Sequence, residues 1–227
     1  MSDFVISVPQ QTSVPVMGGG RFPVRRVFCV GRNYAAHARE MGADVREPPF
    51  FFMKPADALV IDGADTPYPS VTANLHHEVE LVVAIGTGGT DIDAAHALDH
   101  VYGYAVGIDL TRRDMQDAAK AARRPWDLSK GFDASAPMGM IAPASTAGHP
   151  AAGAITLTVD GGLRQKGDLA DQIWTVPEII AELSRLVALA PGDLIMTGTP
   201  EGVGPAVRSN VLFGEIAGVG TVRTRVV

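Results

Sequence analysis

The alternation of apolar and polar positions predicts a chain rich in short strands. Runs of apolar and β-branched residues are bounded by glycine, proline or charged residues, which is the pattern of half-buried and buried strands. Strands are predicted at residues 24–30, 50–53, 78–85, 101–110, 193–198, 211–216 and 221–227. An Asp-Gly-Gly turn between residues 155–159 and 163–165 predicts a β-hairpin.

Helical periodicity is confined to short segments. Pro177 suits the first turn of a helix in which Ile179, Ile180, Leu183, Leu186 and Val187 recur at helical spacing. Shorter helices are predicted at 33–41 and 91–98, and another from Thr111 or Asp114 to about Arg123. Residues 131–150 are expected to be mostly loop. This order of elements favours an α+β fold over a parallel, doubly wound one.

Length and composition indicate a single folded domain. Of the 227 residues, 46% are hydrophobic and 19% are charged, and the chain has 25 glycines and 16 prolines. Such a chain can bury a core but must turn often. We expect an irregular lead-in at residues 1–23 and a single domain at 24–227, because no repeat or break in composition marks a second one.

Charge and cysteine content narrow the possible partners. The formal net charge of −6 argues against nucleic acid, because an acidic surface repels phosphate backbones. Cys29 is the only cysteine, which excludes an intrachain disulfide and a cysteine-rich zinc site and fits a reducing compartment. The sequence shows neither a signal peptide nor 18 consecutive apolar residues, so we expect a cytoplasmic protein without a membrane partner.

Three carboxylates stand at the ends of two neighbouring predicted strands. Side chains alternate along a strand, so Glu78 and Glu80 share a face, and that face becomes apolar immediately after them. A solvated strand face is one interpretation, and a dication that relieves their repulsion is the other. Asp109 ends the next strand and either caps the following helix or joins the pair. Together the three predict an all-oxygen site for Mg²⁺, Mn²⁺ or Ca²⁺.

Histidines offer a second kind of chemistry. At most one of His76 and His77 can face the same way as the two glutamates, because adjacent strand residues point in opposite directions. His37 and Glu40 lie three apart on a predicted helix and can therefore touch. The carboxylate would then fix the imidazole tautomer and leave the other nitrogen as a general base. An exposed ion pair is the alternative.

Further polar residues are candidates for binding a substrate. Lys130, Arg113 and Gln116 can hold a substrate carboxylate or an enolate oxygen, or can be ordinary surface residues. The glycine-rich loop at 197–205 lacks the Gly-Lys-Ser/Thr ending of a nucleotide-binding P-loop. Its backbone N–H groups and the Thr199 hydroxyl can still bind a small carboxylate.

Six segments, in order along the chain, closely resemble the fumarylacetoacetate hydrolase family. They are VGRNYAAHAREM (30–41), FFMKP (51–55), HHEVEL (76–81), GIDLTRRDMQ (107–116), PWDLSKGFD (125–133) and PGDLIMTGTPEGVGP (191–205). The resemblance runs from about residue 24 to the end of the sequence and is greatest to the short acylpyruvate hydrolases. It implies a mixed β-sandwich or β-roll with a few short helices, usually assembled as a homodimer, and a Mg²⁺ or Mn²⁺ site.

The resemblance also implies roles for individual residues. The metal ligands would be Glu78, Glu80 and Asp109, and the water-activating dyad would be His37 with Glu40. The remaining matches are Lys130 and Gln116 near the metal and substrate, Arg113 on the substrate side, and Thr199 in the TGTP loop. Lys54 also falls in a matching segment, without an evident role.

The implied activity is metal-dependent hydrolysis of a carbon–carbon bond in an acylpyruvate. The leading substrate is fumarylpyruvate, which would give fumarate and pyruvate in gentisate breakdown. The family also contains decarboxylases, isomerases and hydratases, so oxaloacetate decarboxylation or other enolate chemistry at the metal is the first alternative. A non-catalytic metal- or ligand-binding domain is a remote third.

Overall fold

A six-stranded mixed sheet is the largest element of the fold. The computed structural model describes residues 4–34, 47–61 and 63–227. In sheet order the strands are β11 (Ala142–Pro143), β8 (Val101–Ile108), β7 (Val79–Ile85), β14 (Asp193–Met196), β3 (Arg26–Gly31) and β4 (Phe50–Lys54). Strands β14 and β3 run parallel and the other neighbours antiparallel.

A four-stranded antiparallel sheet forms the second layer. Its strands are β13 (Gly162–Asp168), β12 (Ala154–Val159), β16 (Val211–Ile216) and β17 (Gly220–Arg225). A small sheet joins β15 (Gly204–Pro205), β6 (Leu75–His77) and β9 (Thr111–Arg112). Two further pairs are β1 (Ser13–Pro15) with β2 (Arg21–Pro23), and β5 (Leu59–Val60) with β10 (Ala136–Pro137).

Helices are few and short. In the described part of the chain they are α1 (Arg113–Ala121), α2 (Asp127–Lys130), α3 (Ala144–Ala147) and α4 (Val176–Leu186), with 3₁₀ turns at Ala56–Ala58, Ala94–His100 and Leu169–Asp171. Helices make up 19% and strands 39%, which confirms the predicted α+β fold of mixed sheets with few helices. Within those same residues, no helix is long and apolar enough to cross a membrane.

The main core lies on one face of the large sheet, and β7 shows how the sequence builds it. Alternate side chains of β7, from Val79 to Ile85, pack with residues of β8, β12, β16 and α4. The opposite parity, represented by Val82 and Ala84, packs into a second cluster with β3, β14 and the β1–β2 pair. Glu80 has the parity of Val82, so it belongs to the face on which the second cluster forms.

Two segments differ from the sequence prediction. The expected irregular lead-in contains the β1–β2 pair, because Val14 and Phe22 are buried and Gly18 to Gly20 adopt the positive φ angles of a turn. The expected loop at 131–150 contains β10, β11 and α3. The helix predicted at 33–41 lies almost wholly outside the described residues.

Candidate active site

The three predicted carboxylates meet in the structure. Glu78 lies between β6 and β7, Glu80 lies in β7, and Asp109 follows β8. The backbone N–H of Asp109 donates to the carbonyl oxygen of Glu78 at 2.8 Å, which continues the β7–β8 pairing to this end of the sheet. All three side chains are buried, and one oxygen from each lies within 4.8 Å of the others.

Three cationic side chains neutralise this cluster. The Lys130 ammonium donates to Glu78 Oε2 at 2.8 Å and to Asp109 Oδ2 at 2.7 Å. The Lys54 Nζ lies 2.9 Å from Asp109 Oδ1. The Arg113 guanidinium donates to Glu78 Oε1. Among the residues that the structure describes, these three carboxylates and three cations balance in number.

Ionisation of the cluster follows from burial and from these neighbours. Burial, with the nearby Asp109 and Glu78 carboxylates, raises the pKa of Glu80, while Lys130 and a 2.7 Å hydrogen bond from the Gly198 N–H oppose that rise. Burial alone would lower the pKa of Lys130, but Asp109 and Glu78 raise it above its ordinary value. Lys130 is therefore a cation and a hydrogen-bond donor rather than a base.

The donor set fits a hard divalent metal ion. Carboxylate oxygens are the ligands that Mg²⁺ and Mn²⁺ prefer, and three ligands leave coordination positions for water and substrate. Among the described residues this is the only group of three histidine, cysteine or acidic side chains with such spacing. Burial, with the Asp109 and Glu78 carboxylates, raises the pKa of Glu80, and a bound dication would offset the repulsion among the three. The three side chains can thus bind a divalent metal.

A small cavity of about 30 Å³ opens beside the carboxylates. The lining combines the three carboxylates with charged, polar, aromatic and backbone groups: Lys130, Arg113, Gln116, Gly198, Thr199, Val30, Gly31, Arg32, Phe52 and Trp126. Charged donors and an aromatic wall therefore face the same space.

The predicted substrate residues Arg113 and Gln116 are both at the cavity, but their side chains are already engaged. The Arg113 Nη1 donates to Gln116 Oε1 at 2.5 Å, and its Nη2 bonds Glu78. Arg113 therefore orients a carboxylate of the triad as well as facing the cavity. His37 and Glu40 lie outside the described residues.

Neither candidate histidine joins the carboxylates. The Nδ1–H of His77 donates to Gln165 Oε1 at 3.0 Å, and the His76 Nε2 lies 2.9 Å from Asn74 Oδ1. Burial, and then the Arg113 charge, lower the pKa of His76 to about 4, which makes it neutral at physiological pH. The site described by the structure is all-oxygen, with no histidine ligand.

Lys54, to which the sequence assigns no role, supports the site from behind the cavity lining. Its buried ammonium contacts Asp109, donates to the Leu110 carbonyl at 3.1 Å and also bonds the Lys130 carbonyl. The available signal was a lysine closing an apolar strand, FFFMK. Arg32 was missed as well, although it lines the cavity with a left-handed φ of 58°.

Comparison with known proteins identifies the class. Residues 26–227 match the family described as fumarylacetoacetate (FAA) hydrolase C-terminal, so the chain belongs to the fumarylacetoacetate hydrolase family, as its sequence indicated. It is an enzyme of that family.

The similar proteins are named either as a fumarylpyruvate hydrolase or as enzymes that act on oxaloacetate. Fumarylpyruvate hydrolase from Pseudomonas aeruginosa, solved in complex with Mn²⁺ and pyruvate, is 52% identical, with a TM-score of 0.96 and coverage of 99% of both chains. The mitochondrial oxaloacetate tautomerase FAHD1 of Mus musculus is 41% identical over 89% of this chain and 91% of its own length. The mitochondrial oxaloacetate decarboxylase of Dictyostelium discoideum is 40% identical over 87% and 91%, respectively.

Proposed function

We propose that this protein hydrolyses a carbon–carbon bond of an acylpyruvate in a reaction that depends on a divalent metal, with fumarylpyruvate as the leading substrate. The observation that carries the proposal is the buried carboxylate triad at a cavity also lined by Lys130, Arg113 and Thr199. The similarity to a fumarylpyruvate hydrolase solved with Mn²⁺ and pyruvate supports this choice of substrate over other acylpyruvates.

In this proposal Glu78, Glu80 and Asp109 hold Mg²⁺ or Mn²⁺. The ion would supply Lewis-acid polarisation of the 2-oxo acid and stabilise developing negative charge. The three carboxylates are matched by the three cations that contact them among the described residues, so a bound dication would add positive charge at the cavity. A positive, partly aromatic cavity attracts an anionic substrate, and fumarylpyruvate carries two carboxylates.

The protein's own groups perform the proton transfers and orient the substrate. His37, held by Glu40, removes a proton from a water molecule, and that water attacks the carbonyl carbon remote from the 2-oxo acid. The carbon–carbon bond then breaks, its electron pair passes to the pyruvate enolate, and the proton that His37 took from water is returned to the enolate carbon to complete pyruvate. Lys130, kept protonated by its neighbours, donates to the negative oxygen.

Binding of the 2-oxo acid is assigned to three other residues. Arg113 and Gln116 face the cavity from α1, and Thr199 faces it from the loop after β14. Charge-assisted bonds from such donors to a carboxylate are stronger than bonds between neutral groups. Four further expectations stay predictions: assembly as a homodimer, a cytoplasmic location, a role in aromatic catabolism, and a single domain at 24–227.

A second function, enolate chemistry on oxaloacetate, is favoured by the names of the relatives at 40–41% identity. Decarboxylation of oxaloacetate gives the same pyruvate enolate as the hydrolysis, and tautomerisation passes through the enolate of oxaloacetate itself. Neither reaction needs an attacking water. The role of His37 as the base for water therefore separates hydrolysis from decarboxylation, and the reaction products separate both from tautomerisation.

The assignment is tested by comparing Asp109→Ala with His37→Ala. We expect Asp109→Ala to lose both Mn²⁺ binding, measured by calorimetry, and turnover. His37→Ala should keep wild-type Mn²⁺ affinity and lose about 10²- to 10⁴-fold in hydrolysis, the usual contribution of a general base. Asp109→Asn serves as a second variant if the alanine variant fails to fold.

Two results would contradict the assignment. Unchanged Mn²⁺ affinity in both Asp109 variants would remove Asp109 from the ligand set. Full hydrolytic activity of His37→Ala would remove the proposed base. Turnover of any 1,3-diketo acid that stops on adding a chelator would also exclude a purely binding function.

A further inference from the structure

Gln165 is a fully buried amide that joins two parts of the site without reaching the cavity. It lies in β13, on the four-stranded sheet, and has no exposed surface. Its Oε1 accepts from the Val79 N–H at 3.1 Å and from His77 Nδ1 at 3.0 Å. Its Nε2 donates to the Pro200 carbonyl at 3.0 Å and to Thr199 Oγ1 at 2.8 Å. Every hydrogen-bonding position of the amide is used.

Two backbone groups fix the orientation of this amide. The Val79 N–H can only donate, so the side-chain atom facing it must be the oxygen of Gln165. The Pro200 carbonyl can only accept, so the atom facing it must be the nitrogen. A flipped amide would set donor against donor and acceptor against acceptor. The nitrogen therefore faces Thr199 as a donor.

The fixed amide decides how the Thr199 hydroxyl is used. Its oxygen accepts from Gln165, so its single proton must be given elsewhere. Thr199 is 2% exposed and lines the cavity, and no described residue accepts that proton. Thr197 differs, because its hydroxyl accepts from Gln172 at 2.8 Å and donates to the Leu81 carbonyl at 3.0 Å.

We propose that Gln165 is a positioning residue that makes Thr199 a hydrogen-bond donor into the cavity. The ligand group recognised is an acceptor oxygen, the carboxylate or keto oxygen of a 2-oxo acid. This inference rests on the proposed function, because it assumes that a 2-oxo acid occupies the cavity. It adds a residue that acts on the substrate only through Thr199.

The test measures binding of pyruvate and oxalate to the Mn²⁺-loaded protein by calorimetry. Thr199→Val removes the hydroxyl at nearly constant shape, and Thr199→Ser keeps it. Gln165→Met removes the amide, and Gln165→Glu keeps an acceptor for Val79 but loses the donor to Thr199. Gln172→Met is the matched control, because the Thr197 proton is bound to a backbone carbonyl whether or not that glutamine is present.

We expect Thr199→Val and Gln165→Met each to weaken binding about tenfold, the loss of one hydrogen bond to a charged group. Thr199→Ser and Gln172→Met should bind like the wild type, and Mn²⁺ affinity should be unchanged throughout. The double variant Gln165→Met, Thr199→Val should bind no more weakly than either single variant, because both remove the same bond.

Two outcomes would overturn the inference. Either Gln165 variant could bind both ligands like the wild type, or the losses in the double variant could multiply, which indicates a general disturbance of the loop. Gln165→Glu decides the first point if Gln165→Met does not fold. Failure of the proposed function looks different: a wild-type protein that binds pyruvate and oxalate but does not cleave fumarylpyruvate refutes the hydrolase and leaves this test intact, and one that binds neither ligand has no 2-oxo acid site.

Discussion

Lys54 and Lys130 lie on opposite sides of the Asp109 carboxylate. One ammonium is 2.9 Å from Oδ1 and the other 2.7 Å from Oδ2. Lys54 also bonds the carbonyl of Lys130, so one buried side chain fixes both a proposed metal ligand and the proposed donor to the enolate. The position of Asp109 therefore depends on a residue that does not line the cavity.

Replacing Lys54 with methionine should therefore be costly. Lys54→Met leaves the Asp109 carboxylate buried with one cationic partner instead of two, and leaves two backbone carbonyls without that donor. We expect a loss of about 3–5 kcal/mol in the free energy of unfolding, measured by urea denaturation. Lys166→Met, on an exposed position of β13, is the control and should change stability by less than about 0.5 kcal/mol. Equal stability of the two variants would contradict this role.

Residues of the site differ in how far the sequence alone could place them. Glu78 and Glu80 share a face because side chains alternate along a strand, and this local pattern can be predicted from the sequence. Asp109 joins them because β7 and β8 are consecutive antiparallel neighbours. The partners of Lys54 lie 55 or more positions further along the chain, and no local pattern encodes that contact.

At the scale of elements, the site depends on the close approach of two loops. Gly198, just after β14, has a φ of 98°, and a Cβ on it would lie 2.7 Å from the Cβ of Asn33. The Asn33 side chain donates to the Thr197 and Trp174 carbonyls at 2.8 and 2.9 Å. This packing brings the Gly198 N–H to Glu80.

Substituting Gly198 tests that approach. Gly198→Ala should lower the free energy of unfolding by about 1–3 kcal/mol through the left-handed backbone alone, and by more through the collision with Asn33. It should also weaken Mn²⁺ binding, because the N–H that donates to Glu80 is displaced. Gly161→Ala is the matched control, because its φ is 80° and nothing lies within 4 Å of the added Cβ. We expect Gly161→Ala to show the backbone loss in the free energy of unfolding without the collision, and to bind Mn²⁺ as tightly as the wild type. The account is contradicted if the two variants lose equal stability and bind Mn²⁺ equally well.

Elements with strong alternation were predictable, whereas weakly patterned ones were not. The strand expected at 211–216 is β16, and the hairpin around the Asp-Gly-Gly turn is β12–β13. The β1–β2 pair was missed because its stability comes from burying Val14 and Phe22 in the second cluster, a contact made with distant strands. The 3₁₀ segment Ala94–His100 overlaps the expected helix at 91–98.

At the scale of the whole molecule, the formal charge of −6 includes three carboxylates that point inward. They carry the proposed chemistry and contribute little to the surface field. A metal that binds only the folded state stabilises it in proportion to the logarithm of its concentration, by about 2.7 kcal/mol at a hundred times the dissociation constant. Metal binding is therefore visible as thermal stability.

Glu80→Gln should separate stability from metal binding. Burial and the neighbouring carboxylates raise the pKa of Glu80, so its ionised form is unfavourable in the folded protein without metal. The Glu80→Gln protein should therefore have a metal-free Tm equal to or higher than that of the wild type. Saturating Mn²⁺ should raise the Tm of the wild type by several degrees and that of Glu80→Gln by much less. Glu215→Gln, exposed on β16, should respond to Mn²⁺ like the wild type. Differential scanning calorimetry measures the Tm of each variant. If Mn²⁺ raises the Tm of Glu80→Gln as much as that of the wild type, Glu80 is excluded as a ligand.

Metal-dependent hydrolysis of an acylpyruvate can be measured in a parallel turnover assay. Purified protein with Mn²⁺ or Mg²⁺ is given fumarylpyruvate, a second acylpyruvate and oxaloacetate, with and without EDTA. We predict that fumarylpyruvate reacts fastest, yields fumarate and pyruvate in equal amounts, and is untouched in EDTA. Faster turnover of oxaloacetate, or fumarylpyruvate cleavage that persists in EDTA, would contradict the account.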